Sequence, residues 1–216
     1  MRIEKIGGRN LMVQFSLPDW DLNLHIIQGD KYNFIIDTGL GAETALCIRE
    51  ILAGSGKEMI VINTHHHWDH IWGNASFSSN AIIAHTLCRT AMMERWDAMQ
   101  AKYGHFAMGK AECCLPSLVF DNALHFPDED ISIFYSPGHT ADAISVYDRR
   151  DKILNAGDNI GDTMEEPVPS LEMAVAIYVQ TLRSYQALGP FVCTSGHNSP
   201  QGPEIFDKII ASLGSV

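Results

Sequence analysis

The chain has 216 residues, 46% of them apolar and 19% charged, with a net charge of −11. This composition excludes disorder, which needs low hydrophobicity together with high charge, and the length predicts one domain over residues 1–216. The acidic balance excludes the clustered Lys and Arg by which proteins hold a phosphate backbone, so nucleic acid is not an expected partner.

The opening residues, MRIEKIGGRNLMVQF, contain no apolar signal core, and no run approaches the roughly 18 apolar residues of a spanning helix. A cytoplasmic protein without a membrane partner is expected. Cys47, Cys88, Cys113, Cys114 and Cys193 lack the spacing of a disulfide framework and are read as reduced thiols.

In chain order, β-like runs fall at Leu11 to Phe15, Leu24 to Gln28 and Tyr32 to Ile36, the last two separated by a Gly29-Asp30 hairpin signal. From Glu43, apolar residues at Ala45, Leu46, Ile48, Ile51 and Leu52 have helical spacing, and Gly54 is placed to end that helix. Met59 to Asn63 and Ala81 to Ala84 are short apolar runs, and Leu87 to about Ala111 reads as a helix with a Met-rich face. Strands follow near Ile131 to Tyr135, Ala143 to Tyr147, Ile153 to Asn155 and Phe191 to Thr194. Helices are expected at about Leu171 to Ala187 and at Glu204 to Leu213. The mixed order, with hairpin signals, predicts an α+β protein rather than a purely parallel sheet.

The most informative segment is Thr64-His65-His66-His67-Trp68-Asp69-His70, directly after the run at Met59 to Asn63. Side chains at i and i+2 of an extended segment share a side, so His65 and His67 can face one metal. Asp69 and His70 are adjacent and suit a turn entering a helix, where they can serve a second metal. Later, an apolar run followed by glycine and a donor recurs three times, ending in Gly138-His139, Gly157-Asp158 and Gly196-His197. Glycine lets the backbone turn sharply or pack close at such points. A carboxylate among imidazoles is the donor chemistry of catalytic rather than closed structural sites. His25, His66, His85, His105 and His125 fall outside this grammar and are read as core or surface residues.

These residues resemble the metallo-β-lactamase superfamily, whose H-x-H-x-D-H motif matches His65, His67, Asp69 and His70. Its later His, Asp and His match His139, Asp158 and His197, and Ile36-Asp37-Thr38-Gly39 looks like its usual strand-end element. The resemblance implies a four-layer αββα sandwich and two divalent metal ions, zinc first, with iron or manganese as alternatives. It implies one site of His65, His67 and His139, another of Asp69, His70 and His197, and Asp158 as the bridge. The implied activity is a hydrolase that activates water between the metals to cleave an ester, thioester, lactone or amide of a small molecule. Asp69 is the catalytic residue on this reading, holding that water while also binding metal.

The bridging Asp158 is similar to that of glyoxalase II and the lactonases, yet the 19 residues after His197 leave no room for the helical glutathione-binding domain usual in glyoxalase II. No Tyr follows Asp158 in Asn159-Ile160-Gly161-Asp162-Thr163, as quorum-type lactonases often have. Two alternatives stay open: an enzyme like the persulfide dioxygenases, with one iron on two His and one Asp, and a metal-binding module without turnover. Trp20, in Leu17-Pro18-Asp19-Trp20 between two early strands, is expected to cover substrate, and Met92, Met93 and Trp96 to line an opposite wall. The same stripe has the spacing of a core or dimer face, and a homodimer is the partner it would imply.

Overall fold

Successive side chains of a strand point to opposite faces, and in the computed structural model, which describes residues 1–214, this alternation sorts the apolar residues into three layers of core. Phe34 and Ile36 join Ile27, Ile60, Ile62 and Ile83 to face Ile131, Ile133, Ile144 and Val146 across the middle. Their neighbours Ile35, Val61 and Ile82 turn the other way, with Leu24 and Ile26, toward Ala45, Ile48 and Leu52. A third layer sets Tyr147, Leu154 and Cys193 against Tyr178, Leu182, Tyr185, Ile205, Phe206 and Ile209. Runs such as Phe34-Ile35-Ile36 are apolar throughout because both faces of the strand are covered.

The first sheet has seven strands in chain order: β1 (Arg2–Lys5), β2 (Asn10–Ser16), β3 (Asp21–Gln28), β4 (Tyr32–Ile36), β5 (Glu58–Ile62), β6 (Ala81–His85) and β7 (Leu118–Phe120). β1 to β4 pair antiparallel, and β4 to β7 pair parallel. Parallel pairing needs crossovers, and α1 (Ala42–Leu52), α2 (Trp68–Ile71) and α3 (Thr86–Tyr103) lie within the three connections. The second sheet runs β12 (Val192–Thr194), β11 (Ile153–Asn155), β10 (Ile144–Asp148), β9 (Ile131–Tyr135), β8 (Ala123–Phe126). Only its β11–β12 pair is parallel, and α4 (Val175–Leu188) lies in that crossover, with α5 (Glu204–Leu213) after β12. The stack is helix, sheet, sheet, helix: the four-layer αββα sandwich. Among the described residues no disulfide forms and no helix is long and apolar enough to cross a membrane.

Three strands escape the sequence reading, and each is short. Arg2–Lys5 and Ala123–Phe126 lie at or near sheet edges with alternating partial exposure, and Leu118 and Val119 are exposed, so none carries a two-sided apolar signal. α3 stops at Tyr103 instead of about Ala111, because the residues beyond it serve another helix. The Lys110 and Met108 carbonyls accept from the amides of Ala42 and Glu43, satisfying free N–H groups at the start of α1. α4 starts at Val175 rather than Leu171, since the amides of Glu172 and Met173 bond the carbonyls of His139 and Gly138.

A buried polar cluster ties the sheets together. The Arg9 guanidinium donates to both carboxylate oxygens of Asp148 at 2.7 and 2.9 Å and to the Glu129 carbonyl. Glu129, 1% exposed, accepts from the amides of Asp30 and Lys31 in the β3–β4 turn. Asn10 links the cluster to His25, accepting from its Nε2 at 2.8 Å and donating to Asp148 at 2.8 Å.

Candidate metal centre

β5, β9, β11 and β12 all end toward one edge of the sandwich, and the donor residues lie in the turns that follow. After β5, Asn63 and Thr64 lead to His65, and His67 is still extended (φ −64°, ψ 147°) as it opens α2, which places Asp69 and His70 in the first helical turn. His139 follows β9, Asp158 sits in a 3-10 turn after β11, and His197 follows β12. Glycine is required at the turns before His139, Asp158 and His197. Gly157 has φ +53°, and a side chain at Gly196 would strike Asp158 Oδ1 and the His70 ring.

The structure brings all seven donors together. Asp158 Oδ2 lies 3.2 Å from Nε2 of both His70 and His197, 3.6 Å from that of His65 and 3.9 Å from that of His139. Asp69 Oδ2 is 3.3 Å from His197 Nε2 and 3.6 Å from His70 Nε2. Two groups emerge, His65, His67, His139 and Asp158 in one and Asp69, His70 and His197 in the other, with donor atoms within 4.8 Å of one another in each. A cation fits them. His65 Nε2, His70 Nε2 and Asp158 Oδ1 are buried without a hydrogen-bond partner, a condition that costs about 1–3 kcal/mol per group unless something fills it. Neutral imidazoles with carboxylates are suitable ligands for zinc, iron and related ions.

Hydrogen bonds behind the donors fix which nitrogen faces inward. His70 Nδ1 donates to Asp37 Oδ2 at 2.8 Å, His139 Nδ1 to the Ser170 carbonyl at 2.8 Å, and His197 Nδ1 to the Asp21 carbonyl at 2.9 Å. Each leaves Nε2 as the ring atom that faces the centre. Asp37 also accepts from the amide and hydroxyl of Thr64, both at 2.7 Å, and the Thr64 hydroxyl lies 3.0 Å from His65 Nδ1. The sequence marks Asp37 only as part of a strand-end element and assigns it no role; the signal for one was a carboxylate directly after the fully apolar end of β4, and the structure holds it at φ +64°.

The electrostatics describe a centre made for positive charge. Burial, and then the neighbouring His70, holds His65 well below its usual pKa; burial, and then His139, brings His67 down to about 4. For Asp158, burial opposes ionisation, but His70 and His197 hold its carboxyl well below the usual range. Burial likewise opposes protonation of His70 and His197, and the carboxylates around them, Asp158 foremost, push both well above the imidazole value.

A third group, His66, His67 and Glu172, also gathers donor atoms. Arg95 already supplies its positive charge, with Nη1 3.0 Å from His66 Nε2 and 3.1 Å from Glu172 Oε1, and His66 Nδ1 bonds Asp142 at 2.9 Å. Above the two main groups opens a cleft of about 300 Å³, walled on one side by the segment from Asp162 to Ser170. Trp20, expected to cover substrate, is not among the residues that line the cleft; its ring lies 5.4 Å from that of His197 and packs edge-on to Trp68 and Phe106. The opposite wall expected from α3 is a correction. Met92 is fully buried and Trp96 packs against the same cluster over Ile71 and Trp72, Met93 is exposed, and none of the three lines the cleft. The α3 stripe is core because Cys88, Met92 and Met99 cover α2 and β6.

Comparison with known proteins agrees with this geometry. Acyl-coenzyme A thioesterase MBLAC2 of Bos taurus is 24% identical over an alignment covering 65% of this chain, and the match spans 58% of that relative's length. Among solved structures, a metallo-β-lactamase from Pontibacter korlensis superposes with a TM-score of 0.78 at 15% identity, covering 100% of this chain and 99% of that one. One from Hirschia baltica gives 0.77 at 20% identity, covering 98% and 96%. At such identities the structures establish the fold alone. The sequence profile of the Metallo-beta-lactamase superfamily matches residues 19–197, from the Trp20 loop to the last donor, His197. On that match over most of its length, the chain belongs to the metallo-β-lactamase superfamily.

Proposed function

We propose that the protein is a metal-dependent hydrolase of small acyl compounds, with two divalent ions, zinc first, held in the two donor groups. His65, His67 and His139 would hold one ion, Asp69, His70 and His197 the other, and Asp158, central to four of the five imidazoles, would join them. The observation that carries this reading is the pair of buried Nε2 atoms of His65 and His70, left without partners, the second oriented inward by the hydrogen bond of its Nδ1 to Asp37. Divalent ions there supply a Lewis acid for an acyl carbonyl and make water a nucleophile at neutral pH.

The chain's own residues then have distinct tasks. Asp69, 7% exposed at the floor of the cleft, is placed to accept a hydrogen bond from the attacking water and to fix its direction. Asp37 and the Ser170 and Asp21 carbonyls keep the imidazoles in one tautomer and orientation. Trp20, edge-on to the His197 ring and outside the lining of the cleft, would meet the apolar part of a substrate that extends beyond it. The name of the curated relative puts thioesters first among acyl classes to try, beside esters, lactones and amides.

The test is elemental analysis of natively purified protein, followed by a thioester, ester, lactone and amide panel run in air and under argon. The expected result is about two divalent ions per chain and oxygen-independent hydrolysis that Asp158→Ala abolishes along with at least one ion. One iron per chain with activity only on a persulfide in oxygen would replace this reading, and full occupancy without turnover across the panel would end it.

A further inference from the structure

The cleft over the centre is lined by four carboxylates, Asp69, Asp158, Asp162 and Glu166, and by no Lys or Arg. Asp69 and Asp158 form part of the donor groups, and two divalent ions would offset them. Asp162 and Glu166 would not be offset. They lie on the wall segment, beyond the donors, and among the described residues no ion pair is formed by either. Both side chains are exposed, at the mouth of a cleft whose floor holds Asp158, 6% exposed, with Oδ1 lacking any hydrogen-bond partner. Arg95 lines a separate small cavity, where it is engaged by His66 and Glu172.

Resting on the hydrolase reading, we propose that the substrate is a small acyl compound with a positive charge, an ammonium or guanidinium group, near the scissile bond, and that Asp162 and Glu166 select it. The two carboxylates give such a group an ion-pair partner at the mouth while the acyl carbon sits over the donors. The same pair repels a leaving group that carries phosphates or carboxylates, and the chain offers no cationic side chain in the cleft to receive one. A cavity of about 300 Å³ adds a limit on size, at the small end of ligand pockets. The net charge of −11 works in the same direction at longer range, favouring the approach of cations over anions.

Charge selection can be read by binding, independently of turnover. Three small thiols that differ mainly in charge, 2-aminoethanethiol, 2-mercaptoethanol and mercaptoacetate, are titrated calorimetrically into the zinc-loaded protein and into the Asp162→Asn/Glu166→Gln double variant. The aminothiol is expected to bind the native chain at least about tenfold more tightly than mercaptoacetate, and the double variant to narrow that ratio by about tenfold, mostly by strengthening mercaptoacetate. Matched cationic, neutral and anionic thioesters, an acyl-coenzyme A among them, are then compared by kcat/KM, with the same order expected. An order of affinities that the double variant leaves unchanged, or mercaptoacetate binding tighter than the aminothiol in the native chain, overturns the proposal. Absence of turnover on every thioester, ester, lactone and amide of the panel, with the thiol ratio as expected, removes the hydrolase reading while charge selection stands.

Discussion

Asp37 shows how much of a donor centre depends on one residue outside it. Its carboxylate holds the Nδ1 proton of His70 and both polar groups of Thr64, so it orients one donor directly and His65 through the Thr64 hydroxyl. Asp37→Ala should weaken zinc affinity about 10- to 100-fold with little change in fold, measured by competition with a chromogenic chelator and by circular dichroism. Unaltered affinity would remove its supporting role. His25 makes a separate residue-scale case. Burial, only partly opposed by Asp148, lowers its pKa from 6.5 to about 4. The unfolded chain therefore takes up that proton first on acidification: the contribution to stability is complete above pH 6.5 and is lost as pH falls toward 4. The loss amounts to about 3 kcal/mol, and His25→Gln should flatten that part of the stability profile in denaturant titrations at pH 7, 5.5 and 4.5. An identical profile would show that His25 keeps its ordinary pKa.

At the scale of elements, what the sequence disclosed followed two-sided burial. β4 and β5 are apolar on both faces and were readable, as was the β3–β4 hairpin with its Gly29-Asp30 turn. The donor turns were readable too, because glycine and a chemically distinctive residue occur together after each strand. Edge strands β1, β7 and β8 were not, since partial exposure leaves no period to detect. The ends of α3 and α4 were unreadable for a different reason: residues 107–111 and 171–174 have ordinary composition, and their conformation is dictated by hydrogen bonds to distant segments. The Met-rich stripe of α3 was ambiguous between wall and core, and only the position of α2 beneath it decides for core. The chain after α3 makes its own prediction. Gly109 sits at φ +76° between the two carbonyls that cap α1, where a Cβ would meet the Glu43 side chain at 2.9 Å. Gly109→Ala should cost roughly 1–2 kcal/mol and lower Tm by about 2–8 °C. A Tm equal to that of the native chain would mean the segment does not fasten the start of α1.

For the whole molecule, the two sheets are joined by an apolar interior and by the Arg9 cluster, which unites β2, β10 and the turn before β9. Arg9→Met leaves Asp148 (fully buried) and Glu129 without their cation, and should destabilise by about 3–5 kcal/mol in urea unfolding. Adding Asp148→Leu should recover part of that loss, because it removes one stranded charge; no recovery would point to strain rather than charge as the cause. The proposed ions would add a second fastening, since β5 belongs to one sheet and β9, β11 and β12 to the other. Stripping them with a chelator should lower Tm, and excess zinc should raise it with concentration.

The order of the donors along the chain has a consequence for synthesis. His65, His67, Asp69 and His70 emerge early, while the second group lacks His197 until β12 has been made and has found β11. A chain ending before that point would hold four of the five donor histidines and both donor aspartates, the whole of the first group, but would lack the second group's last donor. The donor order would therefore let the first group close on an ion while the second still waits for β12 to dock.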